Sequence, residues 1–493
     1  MSTGKILRSL ILAALVWAVV NCIYVYGVLH GGRAHRVETA ALIFIALLLP
    51  QVVRNDADHV RHEIPEAPPL VRRLLLSASV AIVLWTYVPL LTFPFLSDDY
   101  VFLDRYTSAE STLARWQFFR PVFAVVFWAV ATAGSGSVVP FHVLSVALHL
   151  GCAWLGYRLT HRQFRSRTAA AVAFSVFALN PVQLEAVLWI SGLQELLWTF
   201  FLLTATYVYT RSPVLSATQV VLTAGLLVAA LGSKETAVCF SVLLPAADYV
   251  LFRFHRGRWL PIAYSVFVLE LIVYFALRQQ LSPLEAQYFI EPSRYFVKEL
   301  LITPYVAFLY PWNTSAIHVS PFVLAAVCVL SLTALCVAVV RRGAGAAAFV
   351  GPAIILVSTL PVYSFFYVSS ELQGARYLYL ASLGWAVLVA EITRRLARDR
   401  TGMLVIAGIL IVAYSGALWG NLRPWRTAGA IVADLQDAHR KRADLTPLIT
   451  GWSAALGPSL LIRDGIPREY QGVMLFRNGY PEFVKITQQR RVR

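Results

Sequence analysis

Two adjacent carboxylates, Asp98 and Asp99, stand in the run SDDYVFLDRY from Ser97 to Tyr106, directly after a long apolar stretch. Like charges side by side repel, which favours proton uptake, and such a carboxylate is suited to take a proton from a hydroxyl nucleophile. The competing reading is local: Ser and Asp are good helix N-caps, and the pair would then start the helix that follows. Three cations are placed to suit an anionic ligand. Arg120 precedes a proline in FRPVF, Lys234 lies in the tight turn GSKET, and Arg376 opens ARYLYLASLGW with Tyr377 and Tyr379 beside it. Each can hold a phosphate. Each also has an ordinary explanation: Arg120 as a snorkelling side chain, Lys234 neutralised by its neighbour Glu235, Arg376 and its tyrosines as an interfacial anchor.

Other polar residues sit in apolar surroundings. His142 and His149, seven apart in FHVLSVALH, share one helix face and read as contacts between helices rather than as metal ligands. Glu185 and Glu195 lie in NPVQLEAVLWISGLQELLW near the outer membrane surface; Glu185 is too near hydrocarbon to be casual, and hydrogen bonding to a neighbouring helix is its ordinary explanation. Glu270, between Leu269 and Leu271, needs a partner or a proton. The cysteines all lie in apolar runs without metal-site spacing, so neither a disulfide nor a Cys–metal site is expected. No metal site and no cofactor are expected; a divalent cation is left open.

The elements that must position these residues follow from composition. Of 493 residues 58% are hydrophobic and only 14% charged, with a mean hydropathy of +0.65. A soluble chain is nearer a quarter charged, so a disordered chain, a nucleic-acid-binding domain and a disulfide scaffold are excluded together. The reading is an all-α polytopic membrane protein. A crossing needs about 20 apolar residues, and candidate spans fall near 6–28, 39–53, 73–95, 140–160, 168–188, 193–210, 214–232, 236–252, 259–277, 320–340, 345–362, 377–393 and 402–420. That is about 13 crossings. The stretches 121–133 and 299–311 are too short or interrupted and read as interfacial or re-entrant helices. The first span is too long for an ordinary cleaved signal.

With the N-terminus in the cytoplasm, one set of connections, from Lys5 and Arg8 to Arg398 and Arg400, carries about 20 basic residues against about 10 in the opposite loops, the C-terminal tail excluded. A cell-membrane, multi-pass topology with N-terminus inside and C-terminus outside follows. Carboxylates gather on the outer side, in the long loops 96–139 and 278–319 and the short turns. The expected organisation is 1–72 with two additional spans, 73–420 as the main membrane region, and 421–493 as a small α+β appendage outside the membrane. That appendage would begin with a helix near 425–442 and carry turns at Asp464-Gly465 and Asn478-Gly479.

The order of these motifs resembles the GT-C membrane glycosyltransferases. It is closest to the membrane region of the transmembrane-and-tetratricopeptide-repeat O-mannosyltransferases. SDDYVFLDRY is followed by FRP, FHVLSVALH, NPVQLEAVLWISGLQELL, GSKETA, ARYLYLASLGW and finally NLRPWRTA from Asn421 to Ala428. The likeness covers about 73–430. It departs from the family at Asn180, where a His is frequent, near Leu193, where an Arg or Lys is frequent, at Ala375, where an acidic or polar residue is usual, in two preceding spans and in the absence of the repeats.

The resemblance implies a GT-C-like fold, a polyprenyl-phosphate sugar donor such as a mannosyl one, a protein or glycan acceptor, membrane lipid as surroundings and no nucleic acid. Asp98 would act on the acceptor hydroxyl, with inversion at the sugar. Asp99 would support it, by binding Arg376 or capping the helix. Arg376, Lys234 and Arg120, in that order, would take the donor phosphate, and His149, Glu185, Glu195, Glu235 and Tyr377 would line the substrate cavity. Two rivals from other classes are a lipid or glycan transporter or flippase, which should show internal repeats and midplane polar groups, and a non-catalytic scaffold in glycan assembly, which would not need the aspartates.

Overall fold

The computed structural model describes residues 66–106 apart from Ser97, 119–281 apart from Arg253 and His255, 303–313, 346–362 and 374–440 apart from Arg398, with a few isolated positions besides. The protein is helical. Among the described residues six helices are long and apolar enough to cross a membrane: Pro69–Leu90, Val139–Phe164, Glu235–Phe252, Trp259–Leu281, Ala375–Arg394 and Arg400–Ala430. A seventh candidate, Arg167–Ala178 with Pro181–Leu188, is bent by 46° at its middle. The chain is a multi-pass helical membrane protein. Of the expected spans, 6–28, 39–53 and 320–340 lie outside the described residues, so the total of about 13 crossings is not established.

The chain order is α1 (Pro69–Tyr87), α2 (Asp98–Arg105), α3 (Pro121–Ala133), α4 (Val139–Phe164), α5 (Arg167–Ala178), α6 (Leu184–Leu188), α7 (Leu193–Tyr209), α8 (Ala217–Ser233), α9 (Phe240–Ala247), α10 (Trp259–Leu281), α11 (Thr303–Leu309), α12 (Ala346–Thr359), α13 (Tyr379–Leu396) and α14 (Arg400–Arg440). Helix α5 is the hub. Ser166 caps it by accepting the Ala169 amide at 3.1 Å, and its alanines let α1, α4 and α13 pack closely around it. Small residues serve this purpose where lipid removes the hydrophobic drive between helices. Ser79 of α1 donates to Ser175 of α5 at 2.8 Å. Helices α12 and α13 meet backbone to backbone: a Cβ at Gly351 would stand 2.5 Å from the Gly384 carbonyl oxygen.

Two expectations change. The last span and the tail helix, expected as separate pieces, are one 41-residue helix, α14, with Pro424 inside it. The α+β appendage is not established: α14 runs on to Arg440, and beyond it the described residues are a two-residue ladder pairing Phe476 with Pro481 and Arg477 with Tyr480 around Asn478-Gly479. In the stretch 299–311, helix α11 has seven residues, far short of a crossing. Its Phe308 stacks on Trp385 of α13 with ring centroids 5.6 Å apart.

Candidate functional site

The site is built on the break in the bent pair. Helix α5 stops at Ala178, and Asn180, whose side-chain oxygen accepts the Val182 amide at 3.1 Å, caps the 3-10 turn that Pro181 opens. Pro has no amide to lose there and cannot continue the preceding helix. The chain then makes the short α6, a second 3-10 turn at Ile190–Gly192 and enters α7. A Cβ at Gly192 would stand 2.7 Å from the Ala186 carbonyl oxygen, so the turn closes this tightly only with glycine. Every residue from Asn180 to Glu195 is buried.

This turn grips the segment that carries the aspartates. The Trp189 indole donates to the Leu96 carbonyl at 3.1 Å. The Asp99 carboxylate accepts the Leu96 amide at 2.8 Å, the Ser191 amide at 2.7 Å and the Ser191 hydroxyl. Asp99 is therefore a buried, hydrogen-bonded anchor at the start of α2. Asp98 is the first residue of the same helix.

The turn also meets the three cations: two sit on its own glutamates, and Arg120 on its Gln194 and on Glu235 outside the turn. Glu185 accepts the Arg376 guanidinium on one oxygen and the Arg376 amide, at 2.8 Å, on the other. Glu195 takes Lys234 and also accepts the Trp198 indole at 2.6 Å. Glu235 receives a two-pronged contact from Arg120, whose Nε donates at 2.8 Å, and Arg120 also donates to Gln194. Gln194 in turn donates to the Ser191 carbonyl at 2.9 Å. Burial alone would lower the pKa of Arg120; the Glu235 carboxylate more than offsets that and holds it above the ordinary arginine value.

Tyr377 joins two of these pairs. Its ring has Lys234 Nζ 4.3 Å and Arg376 Cζ 4.6 Å from its centroid, and Arg376 also lies 4.6 Å over the Trp189 ring. Such contacts are strong when the cation is desolvated. The side chain of Arg376 is 19% exposed, that of Arg120 13% and that of Lys234 3%, so Arg376 is the most accessible of the three to a ligand.

The residues singled out in sequence thus fall into three groups. Asp99, Arg120, Glu185, Glu195, Lys234, Glu235, Arg376 and Tyr377 come together around the turn. Of the pairings weighed in sequence, Lys234 goes to Glu195 and not to its neighbour Glu235, and Arg376 takes Glu185 and not Asp99, which turns to Leu96 and Ser191 at the start of α2. His149 is fully buried, with Nδ1 on the Tyr379 hydroxyl at 2.9 Å and Nε2 on the Ala178 carbonyl at 3.0 Å, a helix-to-helix contact. Glu270 stands apart in α10, half-buried, and its Oε2 makes no hydrogen bond among the described residues. Among the described residues no group of three His, Cys, Asp or Glu side chains could hold a metal ion.

Trp189, Ser191 and Gln194 were not singled out in sequence; an uncharged residue in an apolar run gives no signal of what it will touch. A second buried cluster, built on the charged pair Asp248 and Arg256, lies at the opposite end of the bundle. There Asp248 pairs with Arg256 at 2.9 Å and accepts the hydroxyls of Tyr209 and Tyr264 at 2.6 and 2.7 Å.

No model of a known protein family matches the chain. Over 333 residues it is 24% identical to a protein O-mannosyl-transferase of Caenorhabditis elegans, a match that takes in 63% of this chain and 47% of that protein. The chain thus spans about half the length of the curated relative it matches. The likeness is a distant one to the O-mannosyl-transferases.

Proposed function

We propose that the protein is a membrane glycosyltransferase. It moves a sugar, mannose or a similar one, from a polyprenyl-phosphate-linked donor to a hydroxyl acceptor on the outer side of the membrane. The observation that carries this reading is that one buried turn, Asn180 to Glu195, contacts both the aspartate-bearing segment and the three cations. A proton acceptor and a phosphate holder on one rigid piece are what an inverting transfer needs. The distant likeness to an O-mannosyl-transferase supports the same class.

In this mechanism the Asp98 carboxylate takes the proton of the acceptor hydroxyl, and that oxygen attacks the sugar C1. The bond from C1 to the phosphate oxygen breaks on the opposite face, and the electron pair leaves with the polyprenyl phosphate. Arg376, the most accessible cation, meets the developing charge, with Tyr377 and Lys234 behind it. Asp99 is occupied by Leu96 and Ser191, which leaves the base role to Asp98. The glutamates keep the cations extended and fixed before the donor arrives.

The test is release of polyprenyl phosphate from polyprenyl-phosphate mannose by the purified full-length protein, with serine and threonine peptides or glycans as acceptors. Asp98→Asn should lower turnover by about a hundredfold to ten-thousandfold while donor binding persists. Near-normal turnover by both Asp98→Asn and Asp99→Asn would remove the aspartates from the mechanism.

A further inference from the structure

A cavity lies away from the site. It has a volume of about 150 Å³ and is bounded by α4, α7, α9 with the turn after it, α12 and α13. Its lining is almost wholly apolar. The inner wall, represented by Gly156, Leu202 and Leu383, is buried, whereas the outer wall, represented by Leu243, Val250 and Ile354, is only half-buried. The cavity therefore opens sideways between α9 and α12, toward the bilayer. An apolar space of this size stays dry and takes a hydrocarbon group.

Its position along the membrane normal selects the leaflet. One turn beyond its lining toward the site, Thr199 and Phe240 are both 0% exposed, and above them lies the Lys234–Glu195 pair. The groove is closed on that side. At the opposite end its lining includes Gln163 and Thr210. Arg162 donates to the Thr210 hydroxyl and to the Tyr207 carbonyl, both at 2.8 Å, and Arg158 donates to the Tyr207 hydroxyl at 2.7 Å. Both guanidiniums lie over the Tyr207 ring. Neither arginine lines the groove: Arg162 borders its polar end through Thr210, and Arg158 stands beside it on Tyr207. An apolar groove that opens to lipid and is bordered by a guanidinium, with a second one next to it, is complementary to an anionic lipid that has its headgroup at that surface.

We propose that this groove holds a hydrocarbon chain of an anionic phospholipid from the leaflet at the arginine-rich end, with the lipid phosphate at Arg162 and Arg158. The site is separate from the turn that carries the aspartates, and the assignment does not depend on the transferase reading.

The experiment uses the full chain in phosphatidylcholine nanodiscs containing a trace of phosphatidylglycerol with a photoreactive group in its tail, or the same label on phosphatidylcholine. The expected result is adducts on peptides containing Leu243 and Ile354, with the anionic lipid labelling more strongly. Arg158→Gln and Arg162→Gln should each lower that preference by roughly fivefold. Ala353→Trp, which fills the groove, should abolish the adducts in protein that unfolds at the wild-type temperature. The wild-type protein alone already decides the matter. Equal labelling by the two headgroups, adducts spread over all lipid-facing helices, or displacement of the label by polyprenyl phosphate but not by phosphatidylglycerol would overturn the assignment.

Discussion

The Trp189 ring lies against the Arg376 guanidinium, 4.6 Å from centroid to Cζ, while its indole nitrogen donates to Leu96 at 3.1 Å. One side chain therefore touches both the most accessible cation and the segment leading to the aspartates. Trp189→Phe keeps a ring beside Arg376 but removes one of the two donors to the Leu96 carbonyl, which keeps the Asp99 amide at 3.0 Å, at a cost of about 0.5–1.5 kcal/mol. Trp189→Leu also loses the cation contact, about 1 kcal/mol more. Thermal unfolding should rank the leucine variant below the phenylalanine one. The KM for a polyprenyl-phosphate sugar should rise in the leucine variant alone; equal KM values would show that the ring does not place Arg376.

Ser191 offers a narrower test of the aspartate anchor. Ser191→Ala removes the hydroxyl that Asp99 accepts and keeps the amide. A hydrogen bond to a charged group contributes roughly 2 kcal/mol, so stability should fall by about that much. With α2 less firmly held, turnover should fall while the donor KM stays near the wild-type value. A change in KM alone would contradict the division of labour between Asp99 and the cations.

Lys234 and Glu195 form the most deeply buried of the three pairs, with side chains 3% and 1% exposed. Removing one partner strands a charge, which costs about 3–5 kcal/mol. Lys234→Met and Glu195→Leu should therefore each destabilise strongly, and the double variant should be more stable than either. A double-variant loss equal to the sum of the singles would mean that the two residues are not coupled.

Glu66 supplies a pH dependence outside the spans. Its carboxylate accepts the Arg167 amide at 2.8 Å and, on the other oxygen, the Thr168 amide at 3.0 Å and the Thr168 hydroxyl at 2.8 Å. Partial burial pushes its pKa up, but the hydrogen bonds from Thr168, Ser166 and Arg167 outweigh that and hold it below the ordinary glutamate value. A depressed folded-state pKa means that the carboxylate contributes stability above its unfolded value, about 4.3. That contribution is lost as pH falls through the folded value. Hydrogen exchange at Arg167 and Thr168, referred to the intrinsic rate, should lose protection as pH drops below the glutamate range. In Glu66→Gln protection should be lower at neutral pH and flat with pH.

Much of the helical layout was legible because hydrocarbon demands long apolar runs: α4, α10 and α13 fall where hydropathy put them. The residue types of the site were legible too, because a Lys, Arg or Glu in such a run is conspicuous. Their partners were not. Arg376 and Glu185 are 191 residues apart, and only the packing of α13 on the turn after α5 brings them together. Lys234 and Glu235 looked like a pair by adjacency. Lys234 is extended, with φ −163° and ψ 139°, so neighbouring side chains point opposite ways, one toward Glu195 and the other toward Arg120. The fusion of the last span with the tail helix was hidden by Pro424, which reads as a break. A proline within a helix is tolerated where it only kinks the axis.

Helix α14 gives that fusion a mechanical meaning. Its 41 residues make a rod of about 60 Å, twice the hydrocarbon thickness of about 30 Å. At the membrane exit Asn421 accepts the Asn313 amide at 2.9 Å and donates to the Pro311 carbonyl at 2.6 Å. One turn on, Trp425 packs against Phe93 with centroids 6.1 Å apart, and a Cβ at Gly429 would stand 2.7 Å from the Phe93 ring. The helix is a lever with its fulcrum at Asn421. The arm beyond that point bears on Phe93 through Trp425 and Gly429, a few residues ahead of Asp98. Movement of the end of this helix at Arg440 would be passed through Phe93 to the segment that carries the aspartates.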